Sequence, residues 1–327
     1  MVWQSIVNTG WKAGKKMNLM ITGALGHIGS RLIRELPLAM FQNVYLLDNL
    51  STQRFPSLFD LPKGIPFRFI EDDILTANLE EYFKGVDVVI HLAAITNAEA
   101  SVAIADEVER TNFKGTERVA EACAACGSKM VFISTTSVYG LQDDEVDENC
   151  PVDHLQPQSP YAESKLKAEL LLQTIGEREG LSFITCRFGT VFGVSTGMRF
   201  HTAVNKFVWQ ASTGCPLTIW STAIDQKRPY LDLGDAVEAL KFILQIDLFD
   251  CRTYNIVTTN ATVRQIINII SSLVPDVSIQ YADSKIMNQL SYTVSNLRFR
   301  NQGFEFKGSL DQGISETVQL LQGVRHR

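Results

Sequence analysis

Asn18–Leu36 reads NLMITGALGHIGSRLIREL, and this stretch decides the fold. A short apolar strand, Asn18–Thr22, runs directly into a glycine, and apolar residues then recur at helical spacing from Ile28 until Pro37 stops the helix. The intervening GALGHIG carries glycines at three-residue spacing. Glycines there permit a tight turn and let backbone N–H groups approach a pyrophosphate, which the positive N-terminus of the following helix attracts. The stretch therefore predicts a dinucleotide-binding strand–turn–helix unit.

A carboxylate follows the second predicted strand. Val44–Leu47 is apolar and ends on Asp48, about 20 residues beyond the glycines. A carboxylate at this place accepts hydrogen bonds from both hydroxyls of an adenosine ribose and repels a 2′-phosphate. The nearest downstream basic residue is Arg54, so the sequence places no cation beside Asp48. We therefore predict NAD rather than NADP as the cofactor, with Asp72 and Asp73, after the third strand, near the adenine edge.

The rest of the chain continues the alternation of strands and helices. Further buried strands are predicted at Phe67–Ile70, Val86–His91, Met130–Ile133 and Phe183–Cys186, with helices ending at Ala125 and covering Tyr161–Thr174 and Leu310–Leu321. Strands that alternate with helices of ten or more residues are typical of a parallel, doubly wound sheet. We therefore predict an α/β fold, a Rossmann-type doubly wound parallel sheet with a smaller C-terminal substrate-binding lobe.

The predicted domains follow from where this alternation stops. They are an N-terminal extension at 1–17, an NAD-binding Rossmann domain at 18–188 to which 230–257 return, and a substrate-binding lobe at 189–229 and 258–327. The extension places its lysines after scattered apolar residues, the reverse of a secretory signal. We interpret it as a tail before a natural start at Met17, or alternatively as a small amphipathic docking element using Trp3, Ile6 and Trp11.

Composition excludes several classes of protein. The 327 residues carry 30 Lys and Arg against 36 Asp and Glu, so no basic excess is available to neutralise a nucleic acid. No apolar run approaches the roughly 20 residues that span a bilayer, and no membrane association is expected. Cys123 and Cys126 form a C-x-x-C without a second pair, which favours a helix face over a metal site. Six scattered cysteines indicate a reducing, cytoplasmic location, and no metal is predicted.

Tyr161 and Lys165 lie four residues apart and therefore on one face of a helix. Hydride transfer from a sugar or alcohol carbon needs a base for the hydroxyl proton, and a free tyrosine, with a pKa of about 10, is a poor base at neutral pH. A lysine ammonium one turn away and a positive nicotinamide favour the phenolate and lower that pKa. The pair follows a strand that ends in STTSVYG, Ser134–Gly140, which supplies hydroxyls at the edge where open α/β sheets bind ligands.

These motifs together resemble the extended short-chain dehydrogenases/reductases, and within them the nucleotide-sugar epimerase/dehydratase family, whose archetype is UDP-glucose 4-epimerase. The motifs that carry the resemblance are TGALGHIG at Thr22–Gly29, DNLS at Asp48–Ser51, HLAA at His91–Ala94, TNFKGT at Thr111–Thr116, the STTSVYG run and the Tyr161/Lys165 pair. They occur in the family's order and extend from about Asn18 to Leu321, nearly the whole chain.

The resemblance implies a role for each matching residue. Tyr161 is the base, Lys165 its activator and a ligand of the nicotinamide ribose, and Thr135 the hydroxyl that bonds the reacting sugar oxygen. Cofactor binding is implied for Gly23, Gly26, His27, Ile28, Asp48, Asn49, Ser51, Asp73, Ile74, Leu92, Ala93, Ala94, Asn112, Tyr161, Lys165 and Phe188, with Asn112 holding structure near the cofactor. Substrate binding is implied for Thr96, Thr135, Thr190 and Arg228.

The substrate that the resemblance implies is a nucleotide-diphosphate sugar. Gln226–Tyr230, QKRPY, resembles the segment whose arginine holds the diphosphate, and the planar fork of a guanidinium suits phosphate oxygens. A homodimer is also implied, through helices near Val102–Ala125 and Tyr161–Gly176. The small and apolar residues of those helices fit packing on the sheet equally well.

One departure from the family narrows the chemistry. Sugar 4,6-dehydratases carry Asp-Glu directly after the catalytic Thr, whereas Thr136 and Ser137 stand there in this chain and disfavour dehydration. We therefore predict a nucleotide-sugar 4-epimerase, with a 4-dehydrogenase or 4-ketoreductase as the alternative. A non-catalytic dinucleotide-sensing regulator is the alternative from another class, and the intact Tyr161/Lys165 pair disfavours it. Thr190 stands where relatives usually carry Asn, so the sequence does not identify the sugar or the nucleotide of the substrate.

Overall fold

The structure is a computed structural model that describes residues 16–142, 145–282 and 291–324. The predicted docking element with Trp3, Ile6 and Trp11 lies outside the described residues. The strands are, in chain order, β1 (Met17–Thr22), β2 (Phe41–Asp48), β3 (Phe67–Glu71), β4 (Val88–His91), β5 (Lys129–Thr135), β6 (Glu145–Val146), β7 (Phe183–Phe188), β8 (Thr190–Phe192), β9 (Leu217–Trp220), β10 (Lys227–Asp232), β11 (Thr253–Ile256), β12 (Thr259–Thr262), β13 (Ile279–Ala282) and β14 (Thr293–Val294).

The helices follow the same numbering. They are α1 (His27–Glu35), α2 (Leu79–Phe83), α3 (Ala105–Val108), α4 (Gly115–Cys126), α5 (Pro160–Glu179), α6 (Ala203–Ser212), α7 (Leu233–Ile246), α8 (Val263–Leu273), α9 (Leu297–Arg300) and α10 (Leu310–Leu320). None of these helices of the described chain is both long and apolar enough to cross a bilayer.

Seven parallel strands form the main sheet in the order β3-β2-β1-β4-β5-β7-β11. The direction of winding reverses between β1 and β4, which makes their carboxyl ends the switch point of the sheet. The turn rich in glycines follows β1, and the HLAA segment ends β4 and continues beyond it. The predicted α/β fold is therefore confirmed, and its ligand-binding crevice lies between these two turns.

Helices cover both faces of this sheet. On one face, α4 and α5 pack on the strands through an apolar cluster that includes Val119, Cys123, Leu172 and Ile175. On the other face, α1 and α7 bury their apolar stripes against β1 and β2. Burial on both faces explains why β4 and β7 read as nearly continuous apolar runs in the sequence.

The long helix predicted to end at Ala125 is interrupted. A π-helical turn, Glu109–Lys114, separates α3 from α4. Such turns insert an extra residue into a helix and occur frequently at functional sites. This turn carries Asn112, whose side chain reaches the loop after β4.

A smaller lobe surrounds a three-stranded sheet in the order β12-β10-β8, with β10 antiparallel to β12 and parallel to β8. Helices α6, α8 and α10 pack around it in a separate apolar cluster. Two details differ from the predicted domain boundaries. Tyr230–Asp232 lies in this small sheet, so the return to the main sheet begins with α7. Phe299 and Phe304 belong to the core of the main sheet, because their rings pack against Phe242 of α7.

The connection between β8 and α6 fastens the small lobe to α1. The neutral His27 side chain donates from Nε2 to the carbonyl oxygen of Gly193 at 2.9 Å, and Arg31 Nη1 donates to the Val194 carbonyl at 3.1 Å. Gly197 donates its N–H to Ser30 Oγ at 2.9 Å. A Cβ on Gly197 would lie 2.3 Å from the Leu25 carbonyl oxygen, so only glycine permits this approach. The connection therefore packs directly on the turn that follows β1.

Candidate active site

Two adjoining cavities open at the carboxyl ends of the main strands. The small cavity, of about 130 Å³, lies beside the end of β2 and the turns after β3 and β4. The large cavity, of about 290 Å³, lies between the end of β5, the start of α5 and the smaller lobe. Gly23, Gly26, Arg54, Leu92 and Ala94 line both cavities, which therefore form one continuous cleft.

The cleft gathers nearly all the residues predicted from the sequence. The small cavity is lined by Gly23, Gly26, Asp48, Asn49, Ser51, Asp73, Ile74, Leu92, Ala93 and Ala94. The large cavity is lined by Gly23, Gly26, His27, Ile28, Leu92, Ala94, Thr96, Thr135, Tyr161, Lys165, Phe188, Thr190 and Arg228. Asn112 lines neither cavity.

The turn after β1 fits the phosphates of a dinucleotide. Gly23 has a φ of +65°, and a Cβ there would lie 2.5 Å from the Ala93 backbone nitrogen, so only glycine permits this approach. Asp48 stands at the edge of this turn, where its carboxylate accepts hydrogen bonds from the N–H groups of Leu25 and Leu50, both at 3.0 Å. These bonds hold the carboxylate in the position that a ribose requires.

Arg54 corrects one expectation from the sequence. We expected no cation beside Asp48, but Arg54 is close enough for the two charges to interact. Burial lowers the pKa of Arg54, and the Asp48 carboxylate raises it. The chain turns back after β2 and brings Arg54 to the wall shared by both cavities. Its guanidinium lies near Gly26, with Nη1 3.9 Å from where a Cβ would stand, and is available to the phosphates of the cofactor.

Asn112 is a positioning residue and not a cofactor ligand in this arrangement. Its side chain is fully buried, and its Nδ2 donates to the Ile95 carbonyl at 2.9 Å while its Oδ1 accepts from the Ile95 N–H at 2.8 Å. Nδ2 also contacts Ser164 Oγ on α5 at 3.3 Å. The π-helical turn thus ties the loop after β4 to the helix that carries Tyr161 and Lys165.

Tyr161 and Thr135 line the same wall of the large cavity. Ser159 caps helix α5, its side chain accepts the Ala162 N–H, and Tyr161 stands in the first turn. Thr135 ends β5, and its hydroxyl oxygen accepts the Ser137 N–H at 3.1 Å, which leaves the hydroxyl hydrogen free to donate. The Thr135 side chain acts to lower the pKa of Tyr161, so the two hydroxyls act on each other across this wall.

The pKa of Tyr161 corrects a second expectation. We expected Lys165 to lower it, but burial raises the pKa of Tyr161 overall, and the opposing charge comes from Arg199, with the Thr135 hydrogen bond as a further lowering influence. Lys165 exerts little charge because burial lowers its own pKa to about 7, against the opposing effect of Glu169. The Lys165 ammonium lies 4.8 Å from the centre of the Phe132 ring, within the apolar surroundings that cause this shift.

A buried ion pair between Glu169 and Arg187 lies next to Lys165. Glu169, one turn further along α5, accepts two hydrogen bonds from Arg187 on β7, at 2.7 Å from Nη2 and 3.0 Å from Nε. Glu169 also accepts the hydroxyl of Ser134 on β5. Both charged side chains are only 7% exposed. The pair therefore ties α5 to β5 and β7, the strands that end at Thr135 and Phe188.

The smaller lobe contributes the remaining wall. The Arg228 guanidinium lies 5.7 Å from the centre of the Trp220 ring and donates to Gln226 Oε1 at 3.3 Å. Tyr292 is buried, and burial raises the pKa of its phenol, while Thr136, Arg228 and Ser137 oppose that shift. Trp220 and Tyr292 line the large cavity, and no motif in the sequence indicated either residue.

Arg199 and His201 are the other functional candidates that the sequence reasoning missed. Both lie in the connection between β8 and α6, and both line the large cavity. Arg199 donates from Nη1 to the Thr96 hydroxyl. Their signal in the sequence is side-chain type alone, since they are the two basic residues of the connection at 193–202.

The cysteines and other metal-binding side chains form no comparable site. Cys123 and Cys126 are free thiols on α4, and burial raises the pKa of Cys123 well above its usual value. Within residues 16–142, 145–282 and 291–324, no group of three His, Cys, Asp or Glu side chains is placed to hold a metal ion.

Comparison with known proteins agrees with this geometry. The model of the NAD-dependent epimerase/dehydratase family matches residues 19–256. A trifunctional UDP-glucose 4,6-dehydratase/UDP-4-keto-6-deoxy-D-glucose 3,5-epimerase/UDP-4-keto-L-rhamnose-reductase of Arabidopsis thaliana is 30% identical over 93% of this chain, which spans only 47% of the plant protein. A Bacillus subtilis protein described as an uncharacterized UDP-glucose epimerase is 29% identical over 94% of this chain and 99% of its own length.

Among solved structures, the UDP-glucose 4-epimerase of Thermus thermophilus in complex with NAD has a TM-score of 0.82 and 27% identity, covering 94% of this chain and 99% of that one. NAD is the cofactor of this family, and the glycine turn and Asp48 fit it. The chain belongs to the NAD-dependent epimerase/dehydratase family of enzymes.

Proposed function

We propose that this chain is an NAD-dependent nucleotide-sugar 4-epimerase. The observation that carries the proposal is the placement of Tyr161, Thr135 and Lys165 on the wall of one cavity that is continuous with the glycine turn. The same cavity offers the Arg228 guanidinium to a diphosphate. The relatives named UDP-glucose epimerase and UDP-glucose 4-epimerase support a uridine diphosphate sugar as the first substrate to test.

The residues divide the chemistry between them. Bound NAD supplies a hydride acceptor and a positive charge beside C4 of the sugar. Tyr161, as the phenolate, removes the proton from O4, while the Thr135 hydroxyl donates a hydrogen bond to the same oxygen. Arg228 holds the diphosphate, so that the 4-keto sugar turns in the cavity of about 290 Å³ without leaving it. Tyr161 then returns the proton to O4 once the opposite face of C4 has been reduced.

Elimination of water lacks its acid and base in this site. Thr136 donates its hydroxyl to the Phe188 carbonyl at 3.3 Å, and the Ser137 N–H donates to the Thr135 hydroxyl oxygen at 3.1 Å. Neither side chain titrates near neutral pH. Among the described residues that line the large cavity, Glu99 is the sole carboxylate, and it is exposed. The geometry therefore supports epimerisation over dehydration, although several relatives are named UDP-glucose or dTDP-glucose 4,6-dehydratases in part or in full.

The test is a panel of UDP-, dTDP-, GDP- and CDP-sugars, with the configuration at C4 followed by NMR. We expect inversion at C4 of at least one sugar, no net NADH and no loss of water. Net NADH formation with accumulation of a 4-keto sugar would instead establish a 4-dehydrogenase, and a 4-keto-6-deoxy product without net NADH would establish a dehydratase.

Removal of the ribose-binding carboxylate is expected to weaken NAD binding. Asp48→Ala should raise the Kd for NAD about 10- to 100-fold, since hydrogen bonds to a charged group contribute about 1.5–3 kcal/mol each. Calorimetry on protein stripped of nucleotide measures this constant. Glu71→Ala is the matched control, because Glu71 pairs with Asp48 across the sheet and does not line the small cavity. Equal effects of the two substitutions would contradict the role given to Asp48.

We also propose a cytoplasmic homodimer. All six cysteines are free thiols, which fits a reducing compartment. Val102, Ile104 and Leu170 are exposed apolar side chains on or beside the helices expected to form the dimer. Burying them against a second copy would remove this apolar surface from water.

A further inference from the structure

A buried histidine bridges the end of β1 and the start of α4. His91 ends β4, and its ring stacks on Phe132 with 6.3 Å between the ring centres. Its Nδ1 lies 2.7 Å from the Thr22 hydroxyl, and its Nε2 lies 3.0 Å from the Thr116 hydroxyl. Thr22 ends β1 directly before the glycine turn, and Thr116 lies in the first turn of α4. The imidazole therefore connects the cofactor turn to the helix that follows the π-helical turn.

The neighbours of the two hydroxyls decide where the ring proton lies. Thr116 donates its single hydroxyl hydrogen to the Asn112 carbonyl oxygen at 2.5 Å, so it can only accept from His91. Nε2 therefore carries the ring proton, and Nδ1 accepts the Thr22 hydroxyl, whose oxygen accepts the Ala93 N–H at 3.4 Å. Burial lowers the pKa of His91 to about 3, so the ring is neutral, as this order of hydrogen bonds requires.

The series of hydrogen bonds continues from Asn112 to α5. The Asn112 side chain holds Ile95 of the loop after β4 through two hydrogen bonds, and it contacts Ser164 Oγ at 3.3 Å. Ser164 donates its hydroxyl to the Tyr161 carbonyl oxygen at 2.8 Å. The side chains of Thr22, His91, Thr116, Asn112 and Ser164 are all buried. One ordered series thus runs from the glycine turn to the first turn of α5.

We propose that His91 is a positioning residue, which holds the glycine turn and the first turn of α5 at a fixed separation. This inference rests on the proposed function, because we place NAD at one end of the series and the Tyr161 base at the other. His91 lines neither cavity and acts through its two threonine partners. A displacement of about 1 Å caused by a change far from the reacting atoms can lower a rate about 100-fold. The histidine can therefore control hydride transfer without touching either ligand.

Two substitutions separate the halves of this connection. The asparagine amide lies as far along the side chain as Nδ1, so His91→Asn keeps an acceptor for Thr22 and loses the donor to Thr116. The glutamine amide reaches as far as Nε2, so His91→Gln keeps the donor to Thr116 and loses the acceptor for Thr22. Thr116→Val removes the same bond as His91→Asn from its other side. Thr317→Val is the matched control, because the buried Thr317 hydroxyl donates to the Gly313 carbonyl within α10, at 2.7 Å.

Hydrogen exchange followed by mass spectrometry tests the connection without any substrate. We expect His91→Asn and Thr116→Val to speed exchange at 109–114 and 161–165 but not at 22–29, and His91→Gln to do the reverse. His91→Asn and Thr116→Val should lower kcat about 10- to 100-fold and change the Kd for NAD less than about threefold, because only the α5 end is released. His91→Gln should raise the Kd for NAD about 10-fold, because the Thr22 hydroxyl is left buried without its acceptor. Thr317→Val should change none of these quantities.

Several results would overturn this role. Long-range proton–nitrogen NMR should show the Nε2–H form of the imidazole whose signals are lost in His91→Gln, and an Nδ1–H or charged ring would contradict the order of hydrogen bonds. Equal effects of His91→Asn and His91→Gln on exchange and on the Kd would make His91 a structural residue only. If His91→Asn does not fold, Thr116→Val carries the same comparison, and a kcat equal to that of Thr317→Val would overturn the proposal. A wild-type protein that inverts no sugar would overturn the proposed function alone, since exchange and NAD binding still decide the role of His91.

Discussion

Replacing Tyr161 by phenylalanine should lower kcat by about 10²- to 10⁴-fold and leave NAD bound. The magnitude is that of a positioned general base, because the substitution removes the oxygen that accepts the O4 proton and little else. Thr135 would keep its bond from the Ser137 N–H. The inversion of C4 followed by NMR gives the rate, and chromatography of the nucleotide released on denaturation gives the NAD content.

Tyr281→Phe is the matched control for this variant. Tyr281 lies on β13, is 56% exposed and does not line either cavity, so the same loss of a hydroxyl should leave kcat unchanged. Activity of Tyr161→Phe within about threefold of the wild type would remove Tyr161 from the mechanism.

The second large effect concerns stability. Glu169→Ala should lower the free energy of unfolding by about 3–5 kcal/mol, because it leaves the Arg187 guanidinium buried without its carboxylate. Ser134 loses its acceptor in the same step. Urea denaturation, followed by circular dichroism on protein without nucleotide, measures the change. Loss of Glu169 also removes the charge that opposes the lowered pKa of Lys165.

Two further variants test the cause of that loss. Glu177→Ala removes an exposed carboxylate from the same helix and should change the free energy of unfolding by less than about 0.5 kcal/mol. The double variant Glu169→Leu/Arg187→Met replaces both charges by apolar groups and should recover most of the loss, because Arg187 no longer leaves a buried guanidinium without its carboxylate. A double variant as unstable as Glu169→Ala would show that the ion pair is not the cause.

Local patterns predicted the sheet and the turns at its edge. The glycine turn, Asp48 and the Tyr161/Lys165 pair are each set by neighbours in sequence, since a tight turn, a strand end and one face of a helix need only a few residues. The boundaries of β1, β7 and α5 therefore fell within a few residues of the observed ones. The π-helical turn at Asn112 was missed because its helix carries no sequence signal of an inserted residue.

Residues that reach the site through tertiary packing could not be predicted. Arg54 returns to Asp48 only after the chain bends back from β2, and Arg199 enters the cavity because Gly197 packs on the turn after β1. The direction of the pKa shift at Tyr161 depends on how deeply the smaller lobe buries it, which the spacing of Tyr161 and Lys165 does not reveal. The charges near Tyr161 and the burial of its phenol thus depend on tertiary packing, which short sequence patterns do not reveal.

The hydrogen bonds between the β8–α6 connection and α1 are expected to affect the rate at which the cofactor is released. Gly193, Val194 and Gly197 all hydrogen-bond to that helix, while Arg199 of the same connection reaches Thr96 on the opposite rim. We expect release of a dinucleotide bound beneath the β8–α6 connection to require its hydrogen bonds to α1 to break. A sugar bound by Arg228 would not have to break these bonds. We therefore expect the dinucleotide to be released slowly, which suits the proposed epimerisation because the hydride returns to the sugar and regenerates NAD.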